Sequence, residues 1–334
     1  MQTAGTGTGT GEEQVTNRTP KGTAAHEDGA AHGLRAADQS RGRGGVLDGR
    51  VAVVTGAGRG VGAALARELS SYGMRLVLLG REMDTLSRVA AGLPGEARCF
   101  EVDVTDRAAM ARVASRVADE LGPASVVVAN AGIAATGPFG SGDPGLWERV
   151  VEVNLLGSAT TARVFLPHLR RTRGYFLQIA STAAFGAAPM MSAYCASKAG
   201  AESFAQSLRA EIAPEGVAVG IAYLHWTGTD MTRDIGEHPV LLALRAAQPR
   251  FAGRVQAAGE VARRLRHGIE RRAASVHCPA WLRLVQPLRP LFPPLVARVA
   301  RTRLARLDPV ELDRTAGVLG PGGEADWRAA HRVT

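Results

Sequence analysis

Tyr194 and Lys198 stand four residues apart in the run YCASK. The chain holds 40 Lys+Arg, yet Lys21 and Lys198 are its only lysines, so this neighbour is not expected from composition. On a helix, residues spaced i, i+4 share one face. A free tyrosine titrates near ~10, too high for proton transfer at neutral pH. A fixed ammonium one turn away favours the phenolate and lowers that value. The pair therefore predicts acid–base chemistry at Tyr194, tuned by Lys198. Taken alone, the same spacing also fits an ordinary amphipathic helix.

The elements that must position this pair alternate along the chain. VAVVT (51–55), RLVLLG (75–80), RCFEVDV (98–104), ASVVVANAG (124–132), YFLQIAS (175–181), VAVGIAYL (217–224) and ASVHC (274–278) read as short apolar strands. Helical spacing fills 61–73, 82–93, 106–122, 145–170, 192–213 and 258–272, with Asp106 as an N-cap. Strand and helix in turn predict an α/β fold. It is a Rossmann-type, doubly wound parallel sheet of about seven strands with helices on both faces and right-handed crossovers.

The first strand runs into TGAGRGVG (55–62) and then a helix. Gly56, Gly60 and Gly62 allow a tight turn, close backbone approach to phosphate and close helix packing. The helix start supplies N–H groups to a pyrophosphate. With a second strand following, this placement predicts a dinucleotide site. An acid usually closes that second strand to hold a ribose 2′-OH. Here Gly80 and then Arg81 occupy the place, and Arg59 lies inside the loop. Two guanidiniums without an acid favour a 2′-phosphate, so NADP(H) is preferred over NAD(H).

These motifs together resemble the short-chain dehydrogenase/reductase family over residues 48–278. T-G-x-x-x-G-x-G matches Thr55 to Gly62, which brings Gly58, Arg59 and Val61 into the cofactor site as well. The resemblance implies that Asp103, beside Val104, lies by the adenine. It implies that Asn130, Ala131 and Gly132 shape the pocket, Asn130 mainly by holding the sheet. It identifies Asn154, Ser181, Tyr194 and Lys198 as a catalytic tetrad, with the thirteen-residue step from Ser181 to Tyr194 usual for the family. The family's Pro-Gly after the sixth strand is Leu224-His225 here, while Thr229 keeps its place near the nicotinamide amide and Thr227 adds a contact. That departure puts the substrate loop's shape in question, and His225 is read as structural or solvated rather than catalytic.

The reaction so implied is reversible hydride transfer between nicotinamide and a small-molecule carbonyl or alcohol. Tyr194 gives or takes the proton, Ser181 holds the substrate oxygen, and Lys198 holds the ribose and the phenolate. Asn154 anchors a water beside Lys198. Trp226, Phe251, Trp281 and Phe292 could line an apolar pocket for a hydrophobic substrate; ordinary core is an equal reading. Family members commonly pair through the helices bearing Asn154 and Tyr194, so a homodimer or homotetramer is expected.

Composition bounds the rest. Residues 1–45 carry hardly any large apolar side chains and are expected to be a disordered tail. Residues 46–278 form the dinucleotide domain with its substrate loop, and 279–334 a basic, proline-containing extension. The formal charge of +9 is concentrated at 251–307, where twelve arginines face only Glu260 and Glu270. No aromatic-interleaved recognition motif accompanies them, so nucleic acid is not expected as a partner. Packing of 279–306 over the lid or a second subunit is preferred to contact with an anionic membrane, because the prolines forbid one continuous amphipathic helix. Cys99, Cys195 and Cys278 suggest no disulfide framework, no metal-ligand spacing appears, and no signal sequence or spanning segment is evident; a cytoplasmic protein without metal is expected. The alternative to an enzyme is a non-catalytic NADP(H)-binding sensor or scaffold, for which a complete tetrad would be unnecessary.

Overall fold

The computed structural model describes residues 45–235, 242, 245–246, 248–304 and 316–330. The expected N-terminal tail thus falls, except for residue 45, outside the described residues. Along the chain the strands are β1 (Val51–Thr55), β2 (Arg75–Gly80), β3 (Ala97–Glu101), β4 (Val126–Ala129), β5 (Ala134–Thr136), β6 (Tyr175–Ser181), β7 (Ala218–Leu224), β8 (Thr227–Gly228), β9 (Gln256–Ala257), β10 (Ser275–Cys278) and β11 (Gly317–Leu319). The helices are α1 (Gly60–Ser71), α2 (Met83–Ala91), α3 (Arg107–Leu121), α4 (Pro144–Val151), α5 (Gly157–Thr172), α6 (Ser192–Ile212), α7 (Asp230–Ile235), α8 (Ala258–Glu270), α9 (Leu282–Val285), α10 (Phe292–Leu304) and α11 (Gly320–Ala330).

Seven strands pair in parallel in the order β10-β7-β6-β4-β1-β2-β3. Their apolar, β-branched runs suit a sheet covered on both faces. Alternate residues of each strand face opposite sides. Val51 and Val53 of β1 therefore join the core beneath α3, α5 and α6, with Val113, Phe165 and Ala205. Ala52 and Val54 join the core beneath α1 and α8, with Leu65, Leu69, Val261 and Leu265. Leu65, Leu69 and Leu265 are fully buried, each worth about 1.5–3 kcal/mol against exposure.

The strand order reverses between β1 and β4, and a doubly wound sheet opens its ligand crevice at the carboxyl ends beside such a reversal. Asp106 caps α3, accepting from the Ala109 N–H at 2.9 Å as the sequence predicts. The expected strand over 124–132 is shorter: β4 ends at Ala129, and β5 resumes with a different partner. β5 pairs antiparallel with β11, which brings residues 316–330 back onto the sheet domain. The prolines after Cys278 do break the helical run, into α9, a 3-10 stretch over Gln286–Leu291, and α10.

Candidate active site

The glycine turn fits the dinucleotide reading. Gly56 and Gly60 have φ of +63° and +51°, a region that disfavours side chains. A Cβ on Gly62 would stand 2.3 Å from the Gly56 carbonyl oxygen and 2.6 Å from Asn130 Nδ2, so α1 can start this close to the turn only with glycine. Arg59, at the N-cap of α1, makes no side-chain cap, which leaves the N-terminus of α1 to face the cleft. Asn130 Nδ2 donates to the Thr55 carbonyl at 2.9 Å, and the Thr55 hydroxyl accepts from the Asn130 and Ala131 N–H groups. These bonds tie the end of β4 to the end of β1.

One cleft of about 300 Å³ lies over this turn. All the cofactor and catalytic residues expected from the sequence line it except Thr55, Gly62 and Asn154, which stand behind its wall. Asn154 is fully buried on a π-helical turn, Glu152–Leu156, between α4 and α5. Such single π turns recur at functional sites. Its side-chain amide donates to the Ile133 carbonyl and the Ser197 hydroxyl, and its Oδ1 accepts from the Ile133 N–H, each at 2.9 Å. Asn154 Oδ1 and Lys198 Nζ both border Gly132, at 3.0 and 3.2 Å from where its Cβ would be.

Tyr194 and Lys198 both lie on α6, Lys198 with 5% exposure. Lys198 Nζ donates to the Ile179 carbonyl at 3.3 Å and sits 5.7 Å from the Tyr194 ring centroid. The sequence-based expectation of a lowered phenol pKa is not met. Burial pushes the Tyr194 phenol up to about 12, and the facing Ser181 hydroxyl reverses only part of that rise. Burial also brings the Lys198 ammonium down to about 8. The physical reason is that desolvation penalises both charges, so the lysine loses its proton before the tyrosine does.

His225 is held at both ring nitrogens. Nε2 meets the Ala252 carbonyl at 2.8 Å, which can only accept, so Nε2 carries the proton. Nδ1 then accepts from the Thr182 hydroxyl at 2.9 Å. The imidazole thereby clamps the loop after Ser181 to the segment before β9, in keeping with a structural role. Burial holds its pKa below the ordinary value. Trp281 stacks edge-on with Phe251 and His225, and Phe292 packs near Gly186. Trp226, Phe251, Trp281 and Phe292 do not line the described cleft, whereas His225 does.

The far end of the cleft differs from the acid-free reading of the sequence. Glu82 pairs with Arg59, and Arg81 pairs with Asp103 and with Asp326 of α11. Arg149 of α4, 9% exposed, bonds Asp103 at 2.6 Å and Asp326 at 2.8 Å. Burial alone would lower the Arg149 pKa; the hydrogen bonds and charges of Asp326 and Asp103 reverse this and raise it. Burial likewise pushes Asp103 up, but its Thr105 and Arg149 partners more than offset that and hold it below its usual value. Glu82 was legible beside Arg81. Arg149 and Asp326 carried no local signal, being 177 residues apart.

A family model described as short chain dehydrogenase matches residues 50–239. The meso-2,3-butanediol dehydrogenase of Serratia marcescens is 31% identical over 219 residues, covering 63% of this chain and 87% of that enzyme. A metagenomic short-chain oxidoreductase solved in complex with NADP superposes with a TM-score of 0.52 at 33% identity, over 58% of this chain and 92% of that one. An alcohol dehydrogenase from the archaeon Thermococcus sibiricus, complexed with 5-hydroxy-NADP, superposes with a TM-score of 0.57 at 27% identity, over 65% of this chain and 89% of that one.

Proposed function

This chain belongs to the short-chain dehydrogenase/reductase family, and we propose that it is an NADP(H)-dependent oxidoreductase that interconverts a carbonyl and a secondary alcohol. The observation that carries this reading is the convergence of Ser181, Tyr194 and Lys198 on the cleft that begins at the glycine turn. When bound, the nicotinamide supplies or takes the hydride.

The chain's own residues do the rest. Ser181 donates to the substrate oxygen and orients it against the phenol. Tyr194 gives its proton to that oxygen in reduction and takes it back in oxidation. Lys198, charged below about pH 8, stabilises the phenolate and holds the nicotinamide ribose. Asn154 fixes Ile133 and the π turn, and the second lone pair of its Oδ1 is left to anchor a water beside Lys198. The first turn of α1 receives the pyrophosphate, and Thr227 and Thr229 approach the nicotinamide end. Arg59 and Arg81 line the cleft beside Gly80 and, once drawn from Glu82, Asp103 and Asp326, would receive the 2′-phosphate of NADP(H).

The three cysteines are free thiols, which suits a cytoplasmic setting. No helix among the described residues is long and apolar enough to cross a membrane. Membership of the family supports a homodimer or homotetramer joined through the helices that carry Asn154 and Tyr194. Leu284, Leu288, Leu291 and Leu295 are each exposed, and we assign them to a subunit contact; flotation with anionic vesicles would move them to a membrane.

A screen of NADPH and NADH consumption over chemically diverse carbonyls tests the function. Turnover with NADPH on some ketone or aldehyde is expected. Cofactor binding without turnover on the whole panel would instead support a sensor or scaffold.

A further inference from the structure

We propose that Asp326 selects between the two nicotinamide dinucleotides: its carboxylate fills the guanidinium site that a 2′-phosphate requires, so NADP(H) must displace it and NAD(H) need not. The proposal rests on the reading above in which Arg81 receives the 2′-phosphate. β11 pairs with β5, and α11 then carries the chain along the cleft towards Arg81. Asp326 is 5% exposed. Arg81 Nη1 donates to the Asp326 backbone carbonyl at 3.0 Å and also to its carboxylate. Arg149 meets the same carboxylate as a fork, Nε to Oδ2 at 2.8 Å and Nη2 to Oδ1 at 2.9 Å. Two guanidiniums thus converge on one anion, in a geometry suited equally to phosphate oxygens.

Two anions cannot share this site. Arg149 is already committed to Asp103, and a phosphate drawn to Arg81 approaches a buried like charge. A 2′-hydroxyl brings no charge and can leave Asp326 in place. Binding of NADP(H) therefore carries the added cost of releasing α11, a conformational tax that falls on only one of the two cofactors. The C-terminal segment then acts as a strap whose release is coupled to the phosphorylated cofactor.

The test compares NADPH and NADH affinities, read by fluorescence, for full-length wild type, Asp326→Asn and Glu324→Gln. Asparagine keeps the size and part of the hydrogen bonding of Asp326 while removing its charge. The ratio of NADPH to NADH affinity should rise at least tenfold in Asp326→Asn. It should stay within about twofold in Glu324→Gln, whose carboxylate on the same helix pairs with exposed Arg328 at 2.8 Å. An unchanged or lowered ratio in Asp326→Asn overturns the proposal. Arg81→Ala separates the underlying reading: if it leaves NADPH affinity unchanged, the 2′-phosphate site itself is wrong. Hydrogen exchange on the wild type guards against a misfolded variant. Residues 316–330 should exchange faster with NADPH bound than with NADH, and equal protection by both would refute the strap.

Discussion

Replacing Lys198 by methionine removes the charge on which the proposed phenolate depends. The ammonium lies 5.7 Å from the Tyr194 ring centroid. The centroid is not the charged oxygen, so this distance only sets the scale: a unit charge pair about 6 Å apart at an effective dielectric of about 20 is worth at most roughly 3 kcal/mol, or about two pKa units, against the rise that burial imposes on the phenol. Proton exchange with the substrate oxygen should slow by about a hundredfold. Methionine fills a similar volume and removes a buried charge, so the fold should survive. The pH profile gives a sharper reading. Burial sets Lys198 to about 8, so carbonyl reduction by the wild type should fall as the pH rises through about 8 and the ammonium is lost. The assay is kcat/KM for the best carbonyl of the screen, followed from neutral to alkaline pH in both proteins. The variant should show the lower plateau and lack that limb. A variant that keeps the limb, or loses less than about threefold in rate, refutes the role given to Lys198.

Two further outcomes follow from the same geometry. His225 and His168 are both held below the ordinary 6.5, chiefly by burial, so the unfolded chain takes up protons first as the pH falls through that value. Stability is fully present above about 6.5 and declines below it; a urea midpoint that stayed level between about pH 7 and about pH 5 would contradict this. Gly62→Ala drives a methyl onto the Gly56 carbonyl and Asn130, and should weaken NADPH binding at least tenfold and cost about 1–3 kcal/mol in stability. Gly259→Ala, with nothing within 4 Å of its Cβ, is the control, and equal losses in both would remove the packing argument.

Much of the fold was legible because parallel strands must be apolar throughout and glycine must occupy the phosphate turn. The seven strands, their crossovers and the α1 entry can all be read from those two constraints. The four residues that the family resemblance names were found by their order and intervals, and three of them, Ser181, Tyr194 and Lys198, line one cleft. The pKa of Tyr194 was not, since burial acts on phenol and ammonium together and cannot be read from an i, i+4 spacing. Nor was the π turn under Asn154, which one inserted residue in a helix leaves invisible to periodicity. The return of residues 316–330 was hidden for another reason. GVLGPGGEADW has no strong apolar period, and its partners Arg81 and Arg149 are charge types found all over this arginine-rich chain. Only the fold brings Asp326, Arg149 and Asp103 into one network.

Tyr194→Phe tests the central claim most directly, because it deletes one hydroxyl and leaves the ring, α6 and the glycine turn in place. NADPH affinity should remain within about twofold of the wild type, while turnover of the best carbonyl should fall by about 10²–10⁴-fold, the usual worth of a general acid. Turnover within a few-fold of the wild type would mean that another group delivers the proton and that Tyr194 is not the catalytic acid.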